Sequence, residues 1–332
     1  MKSGPARVLE SLRRAGEGTC SGADLSSQLN VSRTAIWKNV EALRALGYKI
    51  EAAAGDGYCL TEAPDRLYPE EIHARLETRW LGRRLEWFET TDSTNRVAQD
   101  LARSGAAHGT AVIAEEQTAG RGRLGRSFFS PPHLNLYTSI VLRPQITTAE
   151  APTWILAAAI GVAEAIADSV PDPDQVELKW PNDVLLNGLK TSGILVELGA
   201  EATRVSYLVL GIGVNLNVDR DSFPDEFRSL ATSLSSHCGE RIDRVAFTCR
   251  LYNALERVLD RCQSAGFESL RPAYEARLRM TGHRVRVMEL AGNEIEGTVI
   301  GIAQDGTLRI EKDGGGETRV IAGDVTIAKE NA

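Results

Sequence analysis

The stretch Gly120-Arg121-Gly122-Arg123-Leu124-Gly125-Arg126-Ser127, GRGRLGRS, fits two phosphate-loop patterns at once. Its glycines at 120, 122 and 125 fall in G-x-G-x-x-G, the dinucleotide fingerprint. Read through Ser127 it is also one residue from a Walker A loop, with Arg126 where Lys belongs. Both loops need a strand before them and a helix after them, whose N-terminal N–H groups hold the phosphate. A strand pattern does precede, at Thr110–Ala114, but Ser127-Phe128-Phe129-Ser130-Pro131-Pro132 follows, and no helix starts comfortably there. Both readings are therefore rejected. What remains is a loop with three Arg alternating with three Gly. Glycine lets backbone N–H groups approach an anion, and arginine grips phosphate or carboxylate through two parallel bonds. Such a loop is expected to be mobile until an anionic ligand closes it; a solvated basic loop and a second nucleic-acid contact are the competing readings.

The 332 residues suffice for two or three domains of ordinary globular composition. The N-terminus lacks a charged-then-apolar signal pattern, and the longest apolar run, Trp154–Ile160, is too short to cross a bilayer. Cysteines at 20, 59, 238, 249 and 262 are widely spaced and never in C-x-x-C, which suggests reduced thiols in a cytoplasm. The histidines make no metal-ligand spacing, which argues against a transition-metal enzyme. The net charge of −7 is uneven: residues 1–66 carry +1 and the remainder −8, so only the N-terminal segment is a nucleic-acid candidate on charge.

That segment reads as three short helices and a hairpin. Val8, Leu9, Leu12 and Ala15 make one apolar stripe. Ser21 caps a second helix with Ala23, Leu25 and Leu29, and Asn30-Val31 breaks the chain. Ser32 caps a third helix with Ile36, Val40, Leu43 and Leu46 inward. Two strands, Gly47–Ile50 and Tyr58–Leu60, join near Gly55-Asp56-Gly57. The order resembles winged helix-turn-helix modules of bacterial repressors. A third helix entering the major groove would present Ser32, Arg33, Thr34 and Lys38; a small helical domain docking on protein is the alternative.

Pro64 through about Arg84 reads as a linker holding a short helix from Pro69 to Leu76. Mixed α/β patterning follows. Leu85–Phe88 and Leu134–Leu142 are strands, Ser93–Arg103 is a helix, and Thr153–Ala167 is a buried one. Val184–Leu186 and Ile194–Val196 flank Asn187-Gly188, a hairpin on a type I′ turn. Tyr207–Leu210 is a strand entering a Gly-rich turn, and long amphipathic helices fill roughly 244–280. From His283 onward, short β pieces separated by turns at 291–293, 304–306 and 313–316 predict a small β-barrel.

Four motifs occur in order: Asp92-Ser93-Thr94-Asn95; the EEQTAGRGR run; Lys179-Trp180-Pro181-Asn182-Asp183 followed by Lys190-Thr191-Ser192-Gly193-Ile194-Leu195-Val196-Glu197; and Gly211-Ile212-Gly213-Val214-Asn215. Taken singly each has a bland reading as a helix cap, a strand end or a turn. Together they closely resemble the biotin–protein ligases, and the winged helix adds a resemblance to the bifunctional kind, biotin operon repressor as well as ligase.

The resemblance implies an α+β multidomain chain: a winged helix-turn-helix over 1–63, a catalytic domain of the biotin/lipoate ligase type over 64–281 with 64–84 as linker, and a small SH3-like β-barrel over 282–332. It implies ATP and biotin as substrates with Mg²⁺, and a biotin carboxyl carrier protein whose lysine accepts biotin from biotinyl-5′-AMP. Operator DNA as partner, a homodimer and cytoplasmic location, with no membrane, are also implied. Biotin contacts fall to Ser93, Thr94, Asn95, Gln117, Arg121, Gly122, Arg123 and Lys190. Adenylate contacts fall to Gly120, Arg121, Arg123, Lys190, Gly211, Gly213 and Asn215. Lys190, Arg121 and Asp183 take the catalytic roles, and Asn182 or Asp183 helps place Mg²⁺. The wing Ala53–Tyr58 departs from the pattern in lacking basic residues. The rivals are a lipoate-type ligase, whose arginine and triple-glycine motif is absent here, and a biotin-sensing transcription factor without ligation.

Overall fold

The structure is a computed structural model and describes residues 4–16, 18–53, 57–289 and 292–327. The chain forms two compact units, Met1–Ala74 and Arg75–Ala332.

In the first unit α1 (Gly4–Ala15), α2 (Gly22–Leu29) and α3 (Arg33–Ala45) precede the antiparallel strands β1 (Lys49–Ala53) and β2 (Gly57–Glu62). Both expected caps form: Ser21 accepts from the Asp24 N–H and Ser32 from the Ala35 N–H. Asn30, at φ 53°, ends α2 in the left-handed region that Asn tolerates. Val8, Leu9, Leu12, Leu25, Ile36, Val40 and Leu43 are buried, but Ala23 and Leu46 are exposed, so the two apolar stripes are shorter than expected. The expected turn at Gly55-Asp56 lies outside the described residues.

The stretch from Pro64 is not a free linker. Leu67, Tyr68 and Ile72 are buried, and on α4 (Pro69–Arg75) Glu71 accepts from the Tyr48 hydroxyl at 2.5 Å and pairs with Arg13. Across the boundary between the units, Leu76 and Leu81 are buried too, and Glu256 accepts from the N–H groups of Arg79, Trp80 and Leu81. Apolar residues among the charges, overlooked against the prolines, fasten each half to its own unit.

The second unit is built on a seven-stranded sheet. In chain order come β3 (Leu85–Thr91), α5 (Thr94–Arg103), β4 (Ala111–Gln117), β5 (Leu136–Leu142), α6 (Ala151–Ala167), β6 (Val176–Lys179), β7 (Asp183–Leu186), β8 (Leu189–Glu201) and β9 (Arg204–Val214). The sheet order is β3-β4-β5-β9-β8-β7-β6, parallel only between β3 and β4. The β7–β8 turn has positive φ at Asn187 (50°) and Gly188 (76°), as a type I′ hairpin requires. Two short helices, α7 (Asp225–Arg228) and α8 (Leu234–Cys238), lead to the 22-residue α9 (Arg244–Ala265) and to α10 (Arg271–Glu275). One long helix with one short one thus replaces the expected run of long helices.

The two faces of β5 show how the sheet is covered. Side chains alternate along a strand, so Thr138 bonds the Tyr252 hydroxyl of α9 at 2.6 Å, while Ser139 reaches α5. Val141, on the Ser139 face, packs with Val112, Val209 and the α5 alanines Ala98 and Ala102. On the other side α6, buried almost throughout, lies against α9, where a Cβ at Gly161 would press on Leu255.

Gly211-Ile212-Gly213 belongs to β9 and is not a turn, which corrects the expectation for that motif. The glycines serve a close approach: a Cβ at Gly211 would overlap Asn95, and one at Gly213 the Phe128 ring.

The chain continues as β10 (Arg284–Glu289), β11 (Glu294–Ile302), β12 (Leu308–Glu311), β13 (Glu317–Val320) and β14 (Gly323–Ile327), an antiparallel sheet ordered β13-β12-β11-β10-β14. The expected turns at 304–306 and 313–316 are present; that at 291–293 lies partly outside the described residues. Within the second unit this sheet is tied to the rest by Trp180, whose indole donates to the Gly306 carbonyl at 3.0 Å, and by Glu275, which accepts from the Ile302 N–H at 3.1 Å. No helix among the described residues is long and apolar enough to cross a membrane.

Candidate active site

Strand register digs the cavity. Ladder partners place Tyr137, Gly213, Gly193 and Asp183 in one row across β5, β9, β8 and β7. The next row is Ser139, Gly211 and Leu195. Where inner members are glycine, the face that α5 covers further along sinks into a trough. The cavity there has a volume of about 760 Å³, within the usual range for small-molecule sites.

One end is a connected polar cluster. Ser93 stands at the N-cap of α5 but makes no side-chain cap bond, so its buried hydroxyl is not used for capping. Gln117 at the end of β4 accepts from the Thr94 N–H at 2.9 Å and the Thr94 hydroxyl at 3.1 Å, and donates to Ser130 at 3.0 Å. Ser139 Oγ lies 2.8 Å from Thr94 Oγ1 and 2.6 Å from Asn95 Oδ1. Asn95 donates through Nδ2 to Glu197 at 2.9 Å, and the other oxygen of Glu197 pairs with Arg121 at 3.1 Å. Buried polar groups so completely joined hold a fixed array of donors and acceptors.

The arginine loop roofs this cluster. No helix follows it: Gly120 accepts from the Phe128 N–H, Gly122 donates to Arg126, and Arg121 and Ser127 face each other across a β-bridge. Leu124 occupies positive φ at the exposed tip. The three arginines reach three different elements: Arg121 goes to Glu197, Arg123 donates to Asn182 at 3.1 Å, and Arg126 pairs with Asp324 of β14. Burial pushes the Arg123 guanidinium below its ordinary range, against the opposing pull of Asp324 and Asp183. Phe128 lies on the glycine row, edge-on to Tyr137.

Beside Gly193 on the glycine row, Lys190 Nζ lies 2.6 Å from Asp183 Oδ1. Asn182 is held to β8 by bonds of 2.9 Å in both directions with Ile194. Asn215 lines the cavity, but its amide donates to the Thr232 carbonyl at 3.1 Å and so fixes the segment that carries Leu230 and Ala231. Residues 323–327 of β14 close the wall.

Of the residues expected from sequence, Ser93, Thr94, Asn95, Gln117, Arg121, Gly122, Arg123, Asn182, Asp183, Lys190, Gly211, Gly213 and Asn215 all line this one cavity. Gly120 does not; it packs under the loop against Phe128 and Ser130. Ser32, Arg33, Thr34 and Lys38 are exposed at the start of α3, in the first unit. Sequence reading passed over Ser139: the alternation along Leu134–Leu142 is only partial, and every residue of β5 is buried. It also gave Glu197 no role, although the residue ends a quoted motif.

No group of three or more His, Cys, Asp or Glu able to hold a metal occurs among the described residues. Asp183 pairs with Lys190 through Oδ1, and Asn182 Oδ1 accepts from Arg123.

Residues 87–215 match the biotin/lipoate A/B protein ligase family, and residues 6–59 match an HTH domain. The chain is 37% identical to the bifunctional ligase/repressor BirA of Bacillus subtilis over 308 residues, 93% of this chain and 94% of that one. It is 37% identical to the biotin–[acetyl-CoA-carboxylase] ligase of Mycobacterium tuberculosis, over 79% of this chain and 97% of that one. Among solved structures, the biotin protein ligase of Aquifex aeolicus in complex with biotin and ATP superposes with a TM-score of 0.64 at 28% identity, covering 75% of this chain and all of that one. With both halves matched over nearly its full length, the chain belongs to the bifunctional ligase/repressor family.

Proposed function

We propose that the protein joins biotin to one lysine of a biotin carboxyl carrier protein at the expense of ATP, and that its first unit represses transcription in response to biotin. The observation that carries the ligase reading is one trough lined together by a donor–acceptor cluster, a lysine and an arginine-bearing loop.

A biotin carboxylate oxygen attacks the α-phosphorus of ATP, the bond to the bridging oxygen breaks, and pyrophosphate leaves. The lysine amine of the carrier, having lost a proton, then attacks the acyl carbon of the mixed anhydride, and AMP leaves. The first step brings two anions together, which requires cations that cancel repulsion and developing charge. Arg121, Arg123 and Lys190 supply them, with Asp183 holding Lys190 in place. Ser93, Thr94, Asn95 and Gln117 match the donors and acceptors of the ureido ring. Gly122 and the loop backbone add contacts to biotin, while Gly211, Gly213 and Asn215 border the adenylate, with Gly120 shaping the loop. Mg²⁺ enters as part of the nucleotide substrate. The loop acts as a flap over the adenylate.

For the repressor half, Ser32, Arg33, Thr34 and Lys38 face operator DNA, and two copies related by twofold symmetry read a palindrome. The protein works in the cytoplasm, with its first unit running to Ala74 and a further domain limit near 281. Incubation with ATP, Mg²⁺, an apo carrier domain and either labelled biotin or labelled lipoate tests the ligase reading: transfer of biotin supports it, and transfer of lipoate alone or of neither sinks it. Operator affinity equal with and without the adenylate would remove the coupling between the halves.

A further inference from the structure

We infer that Glu197 is a positioning residue that fastens the arginine loop to the polar cluster around Asn95, so that retention of the adenylate depends on it more than capture of biotin does. The inference rests on the ligase reading above. Glu197 divides its carboxylate between two donors: one oxygen accepts from Asn95 Nδ2 at 2.9 Å and the other lies 3.1 Å from Arg121 Nη1. Both partners line the cavity, whereas Glu197 does not. It stands behind the site, paired with Val209 in the sheet and with its side chain only 22% exposed.

A carboxylate this near a site for anions works against binding unless its charge is already engaged. Here it is. Arg121 pairs with Glu197 through Nη1 alone, and its guanidinium carries further donors. On the other side, Ser139 sits 2.6 Å from Asn95 Oδ1, which leaves Nδ2 to face Glu197 and fixes the way the amide points. The other two arginine anchors, Asn182 and Asp324, lie on the β6–β7 turn and β14, away from the Asn95 end. Glu197 alone of the three ties the loop to the residues expected to hold the ureido ring. Filling that end thereby steadies the loop's anchor, and a loop so anchored keeps the adenylate from leaving.

Full-length protein is charged with labelled biotin and MgATP, chased with unlabelled biotin, and the release of labelled adenylate is timed. Equilibrium biotin binding without nucleotide and the thermal midpoint are measured on the same samples. Glu197→Gln offers one acceptor oxygen to two donors and should release the adenylate about tenfold faster, as expected for loss of one charge-assisted bond. Its biotin affinity should change far less. Arg121→Ala should also speed release, and adding Glu197→Gln to it should speed release no further, because one tether is removed in both. Arg121→Lys keeps a cation opposite Glu197; its slowing of release relative to Arg121→Ala should be clearly larger in the Glu197 protein than in the Glu197→Gln background.

Wild-type release from Glu197→Gln, or effects that multiply in the double variant, would overturn the inference. Where Glu197→Gln lowers the thermal midpoint, the lysine comparison decides: slowing clearly larger with Glu197 present supports the tether, and equal slowing in both backgrounds overturns it. Wild-type protein that forms no adenylate overturns the ligase reading itself, and this inference with it.

Discussion

Lys190 Nζ and Asp183 Oδ1 meet at 2.6 Å across the β7–β8 hairpin, so one strand carries the cation of the site and its neighbour carries the group that aims it. Replacing Lys190 with Ala removes a preorganised donor from the place where charge develops. Pyrophosphate release in the first half-reaction should fall by about 10²–10³-fold, with the thermal midpoint little moved. Asp183→Asn leaves the cation and loosens its aim, so a smaller loss is expected in the same assay.

Gly211→Ala tests the trough. The added methyl meets Asn95, which Ser139 and Glu197 hold from both sides and which therefore cannot swing away freely. Calorimetric titration should show biotin affinity weakened by about tenfold or more, the usual scale for overpacking a fixed site.

Behind the sheet, Arg244 at the start of α9 and Glu115 of β4 form an ion pair with both side chains fully buried. Removing Arg244 takes the guanidinium from Glu115 and leaves that carboxylate to the more distant Trp87 and His133. Arg244→Ala should lower stability by about 3–5 kcal/mol in chemical denaturation. Replacing both residues with apolar side chains of similar volume should cost less than either single change.

Burial alone would raise the Glu256 carboxyl, but the N–H groups of Arg79, Leu81 and Trp80, with the Arg79 guanidinium, hold it below the usual carboxylate range. A folded-state pKa below the unfolded one stabilises the fold fully above about pH 4.3, and that share is lost as pH falls through the lowered value. Thermal midpoints of wild type and Glu256→Gln should therefore differ most near neutral pH and converge in acid. A constant gap across the range would refute the assignment.

In the first unit, Lys38 is exposed on α3. If it neutralises one operator phosphate, Lys38→Ala should flatten the plot of log affinity against log salt by about one unit. An unchanged slope would remove Lys38 from the interface.

Much of the site was legible because its polar residues stand in ordered motifs, and chain folding brings those motifs to one cavity. Other parts depend on partners distant in sequence. Gly211 and Gly213 read as a turn because glycine is a common breaker; the demand for glycine comes from Asn95 and Phe128. Ser139 sits in an unbroken buried run, and only the β5–β9 register shows that it faces α5. Glu197 acquires meaning from Asn95, 102 residues away. The stretch from Pro64 read as linker because prolines and charges outweighed the apolar residues spaced among them.

The wall contributed by β14 has a consequence for the order in which the site comes into being. The Asn95 cluster, the arginine loop and Lys190 all precede residue 200, but the wall they face is strand 323–327, where Asp324 also receives Arg126. While the chain is being synthesised, the trough's floor is thus translated long before its enclosure. Without that wall the cavity lies open to water, where a mixed anhydride would be hydrolysed. Enclosure of the cavity therefore waits on 323–327, the last of the described strands.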